Sequence, residues 1–445
     1  MPNVAPHPFR PLSVTGTLPA KLRGTLFRTG PALFERGGHT LAHPFEADGA
    51  LVGVRFDGEG RASGGVEFVR GNDFDREEKA GRFLSGAAVS RARRVLDVLR
   101  GHVKNTGNTA VMSWQRRLFT LMEAARPIEM DPETLATLGE TDLDGAVPIA
   151  FSAHPHAHRS GDLINFGVAI GPKTHLDLFR LPAQGRATKI GEAPMPWATM
   201  LHDFALVEDT LLFVCGPAQL QLGRALIGEA DLEKLFEWRP HEGARLMVVP
   251  LGAPEQTRMV EIPACWVWHV VNGFRRGDEW VIDVSEYPDM GTLAGIRDPD
   301  QLVAPPALVR YRVGVRSDQV EREVLWDVPV EFPSTPKSEY GRADARALLL
   351  TIPEAATRAD SPNGVAFGRP DRGALQHFVF ADGLGVSEPI HVEDARAVLC
   401  LVNDPAAGHS RVAVLRDDDL AAGPIAEVHF DQLLHTTFHG IFLGA

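Results

Sequence analysis

The sequence predicts an all-β fold, a β-propeller, on three observations. Short apolar runs of strand length, broken by Gly, Pro and Asp, recur from one end of the 445 residues to the other. Four histidines stand at the head of such runs in well-separated parts of the chain: His154 in SAHPHAH, His202 in LHDFALVEDTLLF, His269 in VWHVVNGF and His439 in TTFHGIF. No Ser/Gly/Pro-rich linker or low-complexity block divides the sequence. A chain longer than about 250–300 residues outgrows one compact core, so an undivided one must extend by repetition. Residues 1–445 are expected to form a single domain.

Each element follows from its pattern. GALVGVRFDGEGRASGGVEFVR (49–70), HDFALVEDTLLFVCG (202–216), ARLMVVPLGAPEQTRMVEI (244–262), DEWVIDVSEY (278–287) and SRVAVLRDDDLAAGPIAEVHF (410–430) alternate or carry β-branched runs, with turns at Gly, Asp, Pro or charged residues. This is hairpin after hairpin. His154 precedes a turn at RSGD and the strand LINFGVAI, His202 precedes a turn at Glu208-Asp209, and His269 precedes RRGD and VIDVSEY. Such strands could build a sandwich, a barrel or a propeller. Only the propeller gathers the inner strands of separate blades around a common axis, where four distant histidines can meet. No WD or kelch repeat is visible, so any blades have diverged beyond self-similarity.

Two stretches break the β pattern. VSRARRVLDVLR (89–100) places Val89, Ala92, Leu96 and Leu99 on one helical face with Arg91, Arg93, Arg94 and Arg100 elsewhere, and AQLQLGRALIGEADLEKLFEW (218–238) also reads as helical. Both fit surface helices packed on sheet edges. The first also fits a basic, apolar patch in peripheral contact with an anionic membrane surface.

Composition excludes several function classes. A net charge of −13 argues against nucleic-acid binding, which needs a basic face to displace phosphate counterions. Cys215, Cys265 and Cys400 lie in apolar stretches, too few and too far apart for a disulfide framework or a C-x-x-C zinc site. They read as core residues in a reducing compartment. The start MPNVAPHPFRPL lacks the pattern of a signal peptide, and no window approaches the roughly 18 apolar residues of a span. The expectation is a cytoplasmic protein, peripheral to a membrane at most, acting on small or apolar partners, with no protein partner implied.

Neutral imidazole is the commonest side-chain ligand of first-row metals, and four without cysteine favour a borderline ion such as iron(II). A ligating imidazole usually gives its other N–H to a carboxylate or carbonyl that fixes its tautomer. Three glutamates isolated in apolar segments can serve: Glu123 in LFTLMEAARP, Glu331 in VPVEFPS and Glu388 in VSEPIHVE.

In these residues the chain resembles the carotenoid cleavage oxygenases. VTGTLPAKLRGTLFRTGPALF and HPFEADGALVGVRF are similar to the family's opening, and NTGNTAVMSWQRRLFTLMEAARPIEMDPETLATLG to its next segment. SAHPH, HDFALVED, WHVVNGF, VEFP, SEPI and FHGIF then follow in family order. The resemblance runs from end to end and is highly specific.

It implies a seven-bladed β-propeller with a helical and loop cap over one end, and one non-haem Fe(2+) per chain held by His154, His202, His269 and His439. His156 and His158 lie close to the first, but the family motif assigns the histidine before the proline. Glu123, Glu331 and Glu388 pair by resemblance with the second, third and fourth histidines, and the first lacks a carboxylate. The implied activity is an oxidoreductase: a dioxygenase that uses O2 to cleave a C=C bond of an apolar conjugated substrate into two carbonyl products. Phenylalanine and tryptophan, 23 and seven in number, supply material for an apolar channel.

Departures from the pattern narrow the substrate. Stilbene-cleaving relatives commonly carry a lysine where this chain has Met122, and a tyrosine in the segment that here reads FVRGNDFDREEKAGR, which has none. With both phenol handles absent, an apocarotenoid or carotenoid is the expected substrate. Met122 also replaces a tryptophan frequent in apocarotenoid cleavers. By the same comparison Trp268 is a wall residue of the tunnel, and Thr109 approaches the open face of the metal. Thr29 replaces the usual asparagine, and Glu46-Ala47 an Asp-Gly pair, which implies altered turns and no loss of metal. The alternatives are a phenolic-alkene dioxygenase, and a member that binds or isomerises a polyene without cleaving it. A zinc hydrolase is disfavoured, because catalytic zinc keeps three protein ligands and an open position.

Overall fold

The computed structural model describes residues 3–171, 173–298, 301, 303–326, 328–352 and 362–445. The alternating runs form strands as expected. The 49–70 stretch becomes Asp48–Asp57 and Ala62–Phe68, joined by a turn in which Gly58 and Gly60 take φ of 76° and 91°. A side chain enters that region only with strain. The 202–216 stretch becomes Ala205–Val207 and Thr210–Cys215, with Glu208 at φ 54° in the turn.

Five antiparallel four-stranded sheets follow one another along the chain in a β-propeller-like arrangement. The first blade holds Ala110–Trp114, Arg117–Leu121, Ile128–Met130 and Thr137–Glu140. The second begins at His156–Ala157, the third at Ala205–Val207, the fourth at Trp266–Arg276 and the fifth at Val330–Ser334. The remaining large sheet has ten strands and joins the two chain ends. In it His7–Gly16 pairs with both Pro424–His429 and Ala62–Phe68, and the final strand Gly440–Gly444 pairs with Arg23–Leu33, Thr25 opposite Leu443.

Apolar contacts run from sheet to sheet. Met112 and Phe119 of the first blade pack on Phe179 and Leu181 of the second. Phe166 and Leu178 meet Phe213 and Met247 of the third, and Leu212 and Leu246 meet Ile282 and Tyr311 of the fourth. Each fully buried side chain of this size contributes about 1.5–3 kcal/mol, so the stability lies between the blades as much as within them.

Helices are few. The basic stretch forms a helix at Arg91–Leu99, capped by the Ser90 side chain, as its periodicity predicts. The 218–238 stretch is different. Ala218–Leu220 and Phe236–Trp238 pair as a two-strand ribbon, and only Leu222–Leu226 and the 3-10 turn Leu232–Leu235 are helical. Gly228, at φ 77°, ends the helical run, and ribbon pairing takes over the apolar ends. No helix among the described residues is long and apolar enough to cross a membrane.

Candidate metal centre

The four singled-out histidines come together. His154 lies two residues before the opening strand of the second blade, His202 three before that of the third, and His439 directly before Gly440–Gly444. His269 departs slightly from the expected position. It lies inside Trp266–Arg276, where the register shifts between Val267 and Val270, and this bulge turns the side chain out of the ladder.

Their Nε2 atoms face one another: His154 to His202 at 2.9 Å, His202 to His269 at 3.2 Å and His269 to His439 at 3.1 Å. His202, His269 and His439 are buried. On the far side of the rings, His202 Nδ1 meets Glu123, His269 Nδ1 meets Glu331, and His439 Nδ1 donates to Glu388 Oε1 at 3.0 Å. A carboxylate at Nδ1 fixes the proton there and leaves the Nε2 lone pair pointing inward. Among the described residues, no carboxylate lies within ion-pair distance of His154.

Four inward lone pairs about 3 Å apart repel unless a cation lies between them, and together they form a group able to hold a metal ion. At a metal–nitrogen distance of about 2.1 Å, a tetrahedral site would space its ligands by roughly 3.4 Å. The observed spacings, 2.9 to 3.2 Å, leave room for a single ion bound by all four nitrogens.

The carboxylates are themselves held. Glu331 Oε2 accepts from Phe332 N at 2.6 Å, and Glu388 Oε2 from Gly440 N at 2.9 Å. Buried Arg28 donates to Thr437 Oγ1 at 2.6 Å and to the Glu388 and Phe438 carbonyls at 2.7 and 3.0 Å, with its charge 3.9 Å from the Glu388 carboxylate. Thr109 holds the neighbouring backbone, its carbonyl accepting from His439 N at 3.1 Å. Thr29 donates its hydroxyl to Gly107 O at 3.0 Å, a backbone tie that fits the structural role expected of that segment.

Burial holds His154 and His439 well below the ordinary imidazole value, so both present lone pairs without having to lose a proton. Burial also acts to lower His269, but the Glu331 carboxylate outweighs it and the net shift is upward. Burial pushes Glu388 up to about 7 against the pull of Arg28. With its folded value above the ordinary 4.5, Glu388 favours the metal-free fold most below about pH 4.5 and loses that contribution as pH rises towards 7. A cation held among the imidazoles would favour the ionised form of this carboxylate. Metal uptake at about pH 6 is therefore expected to release protons, and affinity to rise with pH, by at most tenfold per unit for each proton released. Competition titrations with a chelator at several pH values check this. A flat or falling affinity contradicts it.

A cavity of about 460 Å³ opens onto this cluster and is lined by Thr109, Met122, Glu123 and His202 near the imidazoles, with Val168, Met200 and Leu201 beside them. It continues past Phe45, Phe83, Val98, Val103, Leu232 and Phe236. Trp268 does not line it. That ring packs edge-on to His202 at 5.6 Å, within an apolar cluster with Trp266, Tyr287 and Leu293.

Asp203, Tyr340 and Arg28 were not singled out in the sequence, and His156 was set aside there in favour of His154 as a ligand. Burial acts to raise Asp203, but nearby His154, the His156 hydrogen bond and the Val270 amide hold it well below the usual carboxylate range. The signal was present in the sequence, since Asp203 is a charge that opens the apolar run FALV.

The fold and the site together define a β-propeller-like protein with a four-histidine cluster able to hold a metal, three of its members buried, and an apolar cavity that reaches it at His202. The sequence model of the Retinal pigment epithelial membrane protein family matches residues 2–444. The chain belongs to that family, the carotenoid cleavage oxygenases. It is 27% identical over 465 residues to the apocarotenoid-15,15'-oxygenase of Synechocystis, covering 96% of this chain and 91% of that one. It is 25% identical to the isoeugenol monooxygenase of Pseudomonas nitroreducens, covering 97% and 94%. The Chaetomium globosum resveratrol cleavage oxygenase 1 is 34% identical over 254 residues, 54% of this chain and 40% of that one. The crystal structure of the cobalt-substituted Synechocystis oxygenase superposes with a TM-score of 0.90 at 24% identity, covering 100% of this chain and 97% of that one, which shows the shared fold.

Proposed function

We propose that this chain is an oxidoreductase of the carotenoid-cleavage type: an iron(II) dioxygenase that splits a C=C bond of an apocarotenoid or carotenoid with O2 into two carbonyl products. The observation that carries the reading is an apolar cavity of ligand size that reaches His202, one of four converging imidazoles. Its support from relatives is the apocarotenoid-15,15'-oxygenase and the carotenoid 9,10(9',10')-cleavage dioxygenase of pea, each matched over nearly the whole chain.

His154, His202, His269 and His439 would hold one iron(II) per chain, and Glu123, Glu331 and Glu388 would orient the last three. Bound there, iron supplies the electron transfers that let dioxygen react with an alkene. The protein does the rest. Neutral imidazoles leave the cation its charge, and the three carboxylates offset part of it from behind the rings. Thr109 and Met122 border the cavity where it meets His202, so they limit how close the double bond comes and at what angle. Apolar walls align an extended chain and keep water from the reacting bond.

The architectural reading is a single domain over residues 1–445 with seven blades. Its support is that His7–Gly16 joins two halves of the ten-stranded sheet, each with its own meander, and that Val52, Val54 and Val66 of one half pack on Leu399, Val412 and Val414 of the other as the separate blades pack on each other. Arg91–Leu99 and the 218–238 excursion line the cavity and would form the cap. Leu96, Val98 and Leu99 are exposed there beside Leu222, Leu226 and Ile227, with the arginines of the same helix. That face suits peripheral contact with an anionic membrane from the cytoplasmic side.

A second reading, cleavage of a phenolic alkene, draws on the resveratrol-cleaving relative. The cavity argues against it. Its lining contains no tyrosine, and its one lysine, Lys104, is taken up by Asp48 at 3.0 Å and Glu77 at 2.9 Å. Iron-loaded protein incubated with apocarotenals, intact carotenoids and hydroxystilbenes, with products identified by mass, tests the substrate. Aldehydes from the polyenes are expected. Cleavage confined to the stilbenes contradicts the first reading, and isomers without cleavage contradict both.

A further inference from the structure

We infer that Asp203 is a positioning residue: a single buried carboxylate that ties together two backbone amides and one side chain lying next to three of the four histidines. It directly follows His202. Its Oδ1 accepts from its neighbour Phe204 N at 2.7 Å and from His156 Nε2 at 2.8 Å. Its Oδ2 accepts from Val270 N at 2.8 Å. His156 lies two residues after His154, and Val270 directly follows His269. One side chain thus links the inner strands of the second, third and fourth blades at the points where each presents its imidazole.

The fold explains why a carboxylate belongs there. An inner strand has a ladder partner on one side only, so amides on its other edge need another acceptor. Val270 N stands at the bulge that turns His269 inward, and Asp203 supplies the acceptor. His156 is fixed in turn. Its ring stacks on Tyr340 at 5.2 Å and lies edge-on to Phe204 at 4.7 Å, while Tyr340 Oη accepts from Leu206 N at 3.2 Å. None of Asp203, His156 and Tyr340 lines the cavity. His439 lies outside this arrangement, anchored separately by Glu388. An acceptor at Asp203 therefore sets the spacing of three imidazoles without touching substrate.

The inference rests on the reading of the histidine cluster as a metal site, and cobalt(II) serves as probe because its visible absorption reports ligand geometry. Full-length Asp203→Asn offers one acceptor oxygen where two are used, and sets an N–H against a donor. It is expected to lose cobalt to a chelator at least about tenfold faster than the wild type, with an altered visible spectrum and, when iron-loaded, a lower kcat at a KM within about twofold. His156→Phe keeps the stacking but removes the donor and should move the same readouts in the same direction; His156→Gln, which restores a donor, should recover them. If Asp203→Asn does not fold, the His156 pair decides. Folded Asp203→Asn or His156→Phe protein with wild-type cobalt retention and spectrum overturns the inference, as does a loss of stability with the cobalt spectrum unchanged. A wild-type chain that binds no cobalt or iron overturns the metal reading itself, a distinct outcome.

Discussion

His269→Ala abolishes both metal retention and turnover. His269 is the hub of the cluster, with its Nε2 3.2 Å from that of His202 and 3.1 Å from that of His439, and its Nδ1 on Glu331. Alanine removes one donor and widens the gap between two others. It also strands a carboxylate that is 4% exposed, and breaking a buried pair by removing one partner costs roughly 3–5 kcal/mol. The variant should melt lower and bind no iron, as metal analysis and a thermal scan would show. Normal activity in this variant removes His269 from the ligand set.

The second large effect falls on Glu331→Gln, which keeps the shape and removes the charge. The carboxylate accepts from Phe332 N and meets His269 Nδ1, so an amide in its place loses a charge-assisted bond and permits the wrong imidazole tautomer. Metal retention or turnover should fall on the order of 10–100-fold. Because a glutamine fills the same volume, the apo protein should fold. Wild-type iron retention and rate in this variant would show that the carboxylate does not tune the site.

Much of this was legible in the sequence. Local alternation located the hairpins at 49–70 and 202–216, because side-chain direction in a strand depends only on the neighbouring residues. The cluster was legible because ordered motifs singled out four histidines among 17, and the structure places Glu123, Glu331 and Glu388 against the second, third and fourth of them. What was not legible depends on distant pairing. Ser13 lies opposite His429, and nothing near either residue announces it. Ala218–Leu220 and Phe236–Trp238 carry too few residues to reveal a two-residue period, so the helical spacing between them dominated the reading. Asp203 was hidden for a related reason, since its partners His156 and Val270 lie 47 and 67 residues away.

Loading the purified chain with iron or with zinc, then measuring metal content and polyene cleavage side by side, decides whether the four histidines hold a catalytic iron. About one iron per chain is expected, with cleavage that depends on it and none with zinc. Full activity with stoichiometric zinc and no iron would contradict it.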